Sequence, residues 1–90
     1  MPRFYLHIHN SLGFAPDEEG RELADVERAR DEAVKGARSL LSEEVSEGQL
    51  DLRGRIEVTD EQGKLVSVVK FEDVLRILTG PLPSSQQKAG

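Results

Sequence analysis

The feature that most constrains this chain is the periodicity between Ala24 and Gly48. Val26, Ala29, Ala33, Ala37, Leu40 and Leu41 recur at helical steps and share one stripe of a 3.6-residue helix, while Arg28, Asp31, Glu32, Lys35, Arg38, Ser42 and Glu43 fall opposite. Both ends carry stop signals: Asp25 is placed to accept from the free N–H groups of the first turn, and Gly48 to take the left-handed conformation that closes the last. A helix with one apolar stripe must bury it against another element. Gly36 falls at the margin of the stripe and costs about 1 kcal/mol of helix propensity against alanine. Either Ala29, Ala33, Gly36 and Ala37 form a low-relief surface on which the sheet lies close, or the glycine is merely tolerated.

The remaining segments supply that sheet. Phe4, Leu6 and Ile8 alternate with Tyr5, His7 and His9, the period of a half-buried strand. Asn10, Ser11 and Gly13 bring turn chemistry, and Leu12, Phe14 and Ala15 suit a short second strand before Pro16. Pro16 to Gly20 reads as a turn, in which Asp17 bonds forward to the backbone and Gly20 accepts positive φ; Arg21 to Leu23 lead into the helix. Arg55 to Val69 reads as a hairpin around Asp60-Glu61-Gln62-Gly63, a type I turn followed by a left-handed residue that pairs Asp60 with Lys64. That register sets Val58 opposite Val66 and Ile56 opposite Val68 on the helix-facing side, and puts Glu57, Thr59, Leu65, Ser67 and Val69 on the other. Phe71, Val74, Leu75 and Leu78 have the spacing of a short closing helix, stopped by Gly80-Pro81.

The expected fold class is α+β: a small antiparallel β-sheet of 3–4 strands with one long amphipathic helix and a short C-terminal helix packed on one face. Residues 1–80 form the single domain, and residues 81–90, rich in proline, serine and glutamine, a disordered tail. Ninety residues bury only about 60–65% of their unfolded surface, so a second copy would add stability. With 12 Lys and Arg against 17 Asp and Glu the net charge is −5, which disfavours a nucleic-acid partner. The absence of cysteine excludes disulfides, thiolate zinc sites and cysteine nucleophiles. No apolar run reaches the roughly 20 residues that span a bilayer and no signal-peptide pattern opens the chain, so no membrane partner and a cytoplasmic address are expected.

Several stretches carry a resemblance. Met1-Pro2-Arg3-Phe4-Tyr5-Leu6-His7, the Asp17-Glu18-Glu19-Gly20 turn before Glu22-Leu23, the Ala29 to Ala33 start of the helix, and Val58-Thr59-Asp60-Glu61-x-Gly63 leading to Phe71-Glu72-Asp73 are together similar to a family of small uncharacterised proteins of alphaproteobacteria. The resemblance covers nearly all of the chain except the tail and implies a stand-alone bacterial cytoplasmic domain with no catalytic role to carry over. His7 falls where that family's opening strand also places a histidine. At the level of fold alone, the opening strand, acidic turn and Ala-rich helix resemble small antitoxins of the partly opened double-stranded-RNA-binding fold. Those carry three strands before the helix; here one strand and a weak second are visible.

Candidate chemistry is sparse. His7 and His9 form a His-x-His pair on one strand face, a spacing that lets two imidazoles converge on one metal ion, but a site needs further ligands and none is fixed by spacing, so no metal or other cofactor is expected. Asp17-Glu18-Glu19, Glu43-Glu44 and Asp60-Glu61 lie in turns or at a helix end, where solvent holds carboxylates near their ordinary behaviour. The serines have no elbow motif, and no glycine-rich phosphate loop is present. The expected function is therefore that of a non-enzymatic interaction module that self-associates, with Tyr5, His7, His9, Leu65 and Val69 as its interface. The alternatives are an antitoxin-like regulator and a metal-binding protein using His7 and His9.

Overall fold

Alternation in the first ten residues builds the central strand. The computed structural model describes residues 1–75, in which β1 (Arg3–Asn10), β2 (Gly13–Ala15), β3 (Arg21–Glu22), α1 (Val26–Ser46), β4 (Arg55–Thr59), β5 (Leu65–Lys70) and α2 (Phe71–Val74) follow in order. All five strands pair antiparallel, with β1 and β4 side by side and β5 beyond β4. The other edge of β1 is covered by two short strands in tandem. β2 pairs with its C-terminal end, Ile8 with Ala15 and His9 with Phe14, and β3 with its start, Arg3 with Glu22 and Phe4 with Arg21. Arg21 and Glu22, expected to lead straight into the helix, thus form a strand first, because Leu23 N–H also bonds Pro2 O at 3.0 Å and ties the entry segment to the edge. Three strands precede the helix, but two share one edge of the first, an arrangement unlike three strands side by side.

The helix has the expected ends. Asp25 Oδ1 accepts from Arg28 N at 2.8 Å, and Gly48 has φ +85°. Its alanines 29, 33 and 37 have no exposed surface, and Leu41 continues the stripe. They meet Phe4, Leu6, Ile56, Val58 and Val69 from the sheet, while Phe71 and Val74 close the end of the core. Fully burying a Leu, Val or Phe side chain contributes ~1.5–3 kcal/mol, so this one layer carries the stability of the domain. The two readings of Gly36 are decided here. A Cβ added at Gly36 would meet only Ile56 Cδ1, at 3.8 Å, an ordinary contact; the glycine is tolerated. Close backbone approach occurs instead at Gly54, where a Cβ would come within 2.7 Å of the Phe71 ring.

Two expectations at the C-terminal half are corrected. The hairpin turn is as expected: Asp60 N–H bonds Lys64 O and Gly63 N–H bonds Asp60 O, both at 3.0 Å, Asp60 Oδ1 accepts from Gln62 and Lys64, and Gly63 has φ +81°. Thr59 pairs with Leu65, but a bulge follows and the next pairs are Val58 with Ser67, Glu57 with Val68 and Ile56 with Val69. One residue of offset moves every later side chain of β5 to the other face. Val69 is therefore buried under the helix at 1% exposure, not on the open face, and Val68 takes its place there. The closing helix is one turn, not two: it ends at Val74, and Leu75 is extended at φ −117°, ψ 145°. Leu78, the Gly80-Pro81 stop and the proposed tail at residues 81–90 lie outside the described residues. Among the described residues no helix is long and apolar enough to cross a membrane.

Candidate functional site

The face of the sheet away from α1 collects the residues of chemical interest. β1 contributes Tyr5, His7 and His9; the register places Thr59, Glu57 and Arg55 of β4 opposite them, with Val68 and Leu65 of β5 beyond. β2 adds Phe14, which the residue pattern alone did not single out as a surface contact. Its ring lies 4.4 Å from that of His9 and 6.0 Å from that of His7, centroid to centroid, and 55% of the residue remains exposed. The signal for it was local: Asn10 Oδ1 accepts from Leu12 and Gly13, fixing a two-residue turn that sets Phe14 across from His9. Leu65 is 50% exposed. Tyr5, His7 and His9 are half-buried, and the Tyr5 and His7 rings lie parallel, 5° apart in plane.

Hydrogen bonds fix the orientation of both histidines. Asp17 N–H donates to His7 Nδ1 at 3.0 Å, so the neutral ring carries its proton on Nε2, which lies 3.0 Å from Thr59 Oγ1 and donates to it. The His7 ring thus spans from the loop to β4. His9 Nε2 donates to Glu57 Oε1 at 2.9 Å, and Arg55 Nε donates to Glu57 Oε2 at 3.0 Å. Both oxygens of Glu57 are used. The Arg55 bond holds its carboxyl below the usual range, and the bond from His9 adds to this against the opposing effect of desolvation.

Asp17, expected to be a solvated turn residue, holds the loop to the sheet. On the edge of β1 away from β4, no strand pairs with Leu6, which falls between β3 and β2, and there Asp17 Oδ2 accepts the Leu6 N–H at 3.1 Å while Oδ1 accepts that of Gly20 at 3.0 Å. Gly20 closes the loop at φ +68°, packed so tightly that a Cβ would lie 2.9 Å from the Tyr5 ring. Desolvation pushes the Asp17 carboxyl up, but N–H groups of Leu6, Gly20 and Glu19, with Arg21 nearby, outweigh it and hold it below its ordinary value. The forward bond to Gly20 was legible in the sequence; the bond to Leu6 depends on a strand gap that only the fold creates.

The ring nitrogens of the His-x-His pair are largely taken up by hydrogen bonds. Three of the four are engaged as described, and among the described residues no group of three or more His, Cys, Asp or Glu side chains is placed to hold a metal ion. What remains is a surface whose acids and bases are spent on one another and on backbone N–H groups, with Phe14 and Leu65 offered to contact. A family model described as "Domain of unknown function (DUF6894)" matches residues 3–72. No curated protein and no solved structure matches the chain at a significant level.

Proposed function

We propose that this chain, which belongs to the DUF6894 family, is a non-enzymatic module of the bacterial cytoplasm that associates with a second copy of itself through the open sheet face. The observation that carries the reading is the exposure of Phe14 and Leu65 on a face that also presents half-buried Tyr5, His7, His9 and Val68 beside Thr59, Glu57 and Arg55, opposite the face that α1 covers. An antiparallel sheet tolerates a solvated face, but such a face ordinarily alternates to polar residues. This one keeps the aromatic rings of Tyr5 and Phe14, the two imidazoles and two aliphatic side chains. Covering them in a two-fold contact removes apolar area from water at ~25 cal/mol per Å², a useful gain for a domain with one thin core layer. The carboxylates most removed from bulk water in this region, Asp17 and Glu57, are saturated by N–H donors, which supports binding over acid–base chemistry.

The test is a dilution series of the uniformly labelled full chain followed by amide NMR. Concentration-dependent shifts are expected to gather at Tyr5, His7, Phe14, Leu65 and Val68 and to disappear in the Phe14→Ser, Leu65→Ser double variant. Shifts confined to the outer surface of α1, or none over the series, would overturn the reading.

A further inference from the structure

Beyond any contact between copies, we propose that His7 is a pH-operated crossbar: its neutral ring holds the Pro16–Gly20 loop to the sheet through the Asp17 amide, and its protonation exchanges that bond for one to the Asp17 carboxylate, which loosens the loop from the β1 edge at Leu6. The neutral ring accepts the Asp17 N–H on Nδ1 and donates from Nε2 to Thr59 Oγ1, joining loop, β1 and β4 through one side chain. A charged imidazolium has two donors and no acceptor. On protonation Nδ1–H faces the Asp17 N–H, donor against donor, while the Thr59 bond is unaffected. One of the two N–H groups must turn away.

The groups around the ring determine what happens next. On β1 it has Tyr5 and His9 on either side; on β2, Phe14; on β4, Glu57 directly opposite, with Thr59 and Arg55 flanking; on β5, Val68 beyond Glu57 and Lys70 beside Arg55. Glu57 is already held by Arg55 and His9. Asp17 carries the other carboxylate beside the ring, and it is held by the N–H groups of Leu6 and Gly20. Turning that carboxylate to the imidazolium strips an acceptor from one or both. The two states are therefore distinct in hydrogen bonding: the neutral ring takes the Asp17 amide and leaves its carboxylate on the β1 edge, whereas the charged ring takes the carboxylate and frees the edge at Leu6.

The experiment is NMR of the full chain from pH 8 to pH 5, the interval in which histidine side chains ordinarily gain their proton. Long-range ¹H–¹⁵N spectra read the ring tautomers, and amide shifts and hydrogen exchange read the loop. The expected result is a neutral His7 protonated on Nε2 alone, and amides of Leu6, Asp17 and Gly20 that shift with the His7 titration midpoint. Their exchange, corrected for the intrinsic pH dependence, should rise roughly tenfold across it, the order expected from the loss of one hydrogen bond. His9→Gln should leave this coupling intact and His7→Gln should abolish it. A neutral His7 protonated on Nδ1, or loop amides that stay fixed while the ring titrates, would overturn the proposal. Both readouts are available in the unmutated protein, so an unfolded variant leaves the test standing.

Discussion

Replacing Asp17 by alanine leaves the N–H groups of Leu6 and Gly20 without their acceptor, while the Asp17 amide and its bond to His7 are untouched. These bonds are part-buried, so about 1–1.5 kcal/mol each is appropriate, giving a loss of ~2–3 kcal/mol. Asparagine keeps one acceptor oxygen and should lose about half as much. In urea melts followed by circular dichroism, with m near 1–1.5 kcal/mol/M for a chain of this size, the Asp17→Ala midpoint should fall by roughly 1.5–2.5 M. The pH dependence has a definite sign. Because the folded-state pKa lies below the ordinary 3.8, the stabilisation is fully present above that value and is lost as pH falls through the folded pKa. The gap between wild type and Asp17→Asn, open at pH 7, should therefore narrow by pH 3. An alanine variant within ~0.5 kcal/mol of wild type at pH 7, or a gap to asparagine of constant size between pH 7 and pH 3, would refute the argument that this carboxylate stands in for a missing strand.

Gly36→Ala should stabilise the protein by ~0.5–1 kcal/mol, since the site has room for a methyl group and helix propensity then acts alone; a lower melting midpoint would mean that the helix and sheet lie closer than described. Gly63→Ala, at φ +81° in the hairpin turn, should cost ~1–2 kcal/mol in the same melts. Val69→Ser should cost about 2–3 kcal/mol and Val68→Ser under about 1, because the bulge buries the first and leaves the second on the open face; the reverse order would restore the unbulged register.

The helix was legible almost to its caps, because the alanine stripe, Asp25 and Gly48 are each local signals that agree. The turn at Asp60 to Gly63 was legible for the same reason. What lay beyond reach was non-local. The bulge between Val58 and Thr59 leaves no mark in a run such as Val66-Ser67-Val68-Val69, where valines occupy both alternations, so the face of Val69 was misassigned. β3 is two residues long and exists because β1 has an edge to offer. His7 and His9 were placed correctly on one face by alternation alone, but their partners Asp17, Thr59 and Glu57 depend on contacts between segments; Phe14 alone joins them through a local signal, the Asn10 turn that sets the β2 register.

The claim that the open sheet face binds a second copy is tested most directly by sedimentation velocity of the full chain at pH 7.5. At concentrations of roughly 100 μM, where an association of about −6 to −8 kcal/mol is well populated, the account predicts a dimer that the Phe14→Ser, Leu65→Ser substitutions return to monomer. A monomer at that concentration, or a dimer indifferent to those substitutions, would contradict it.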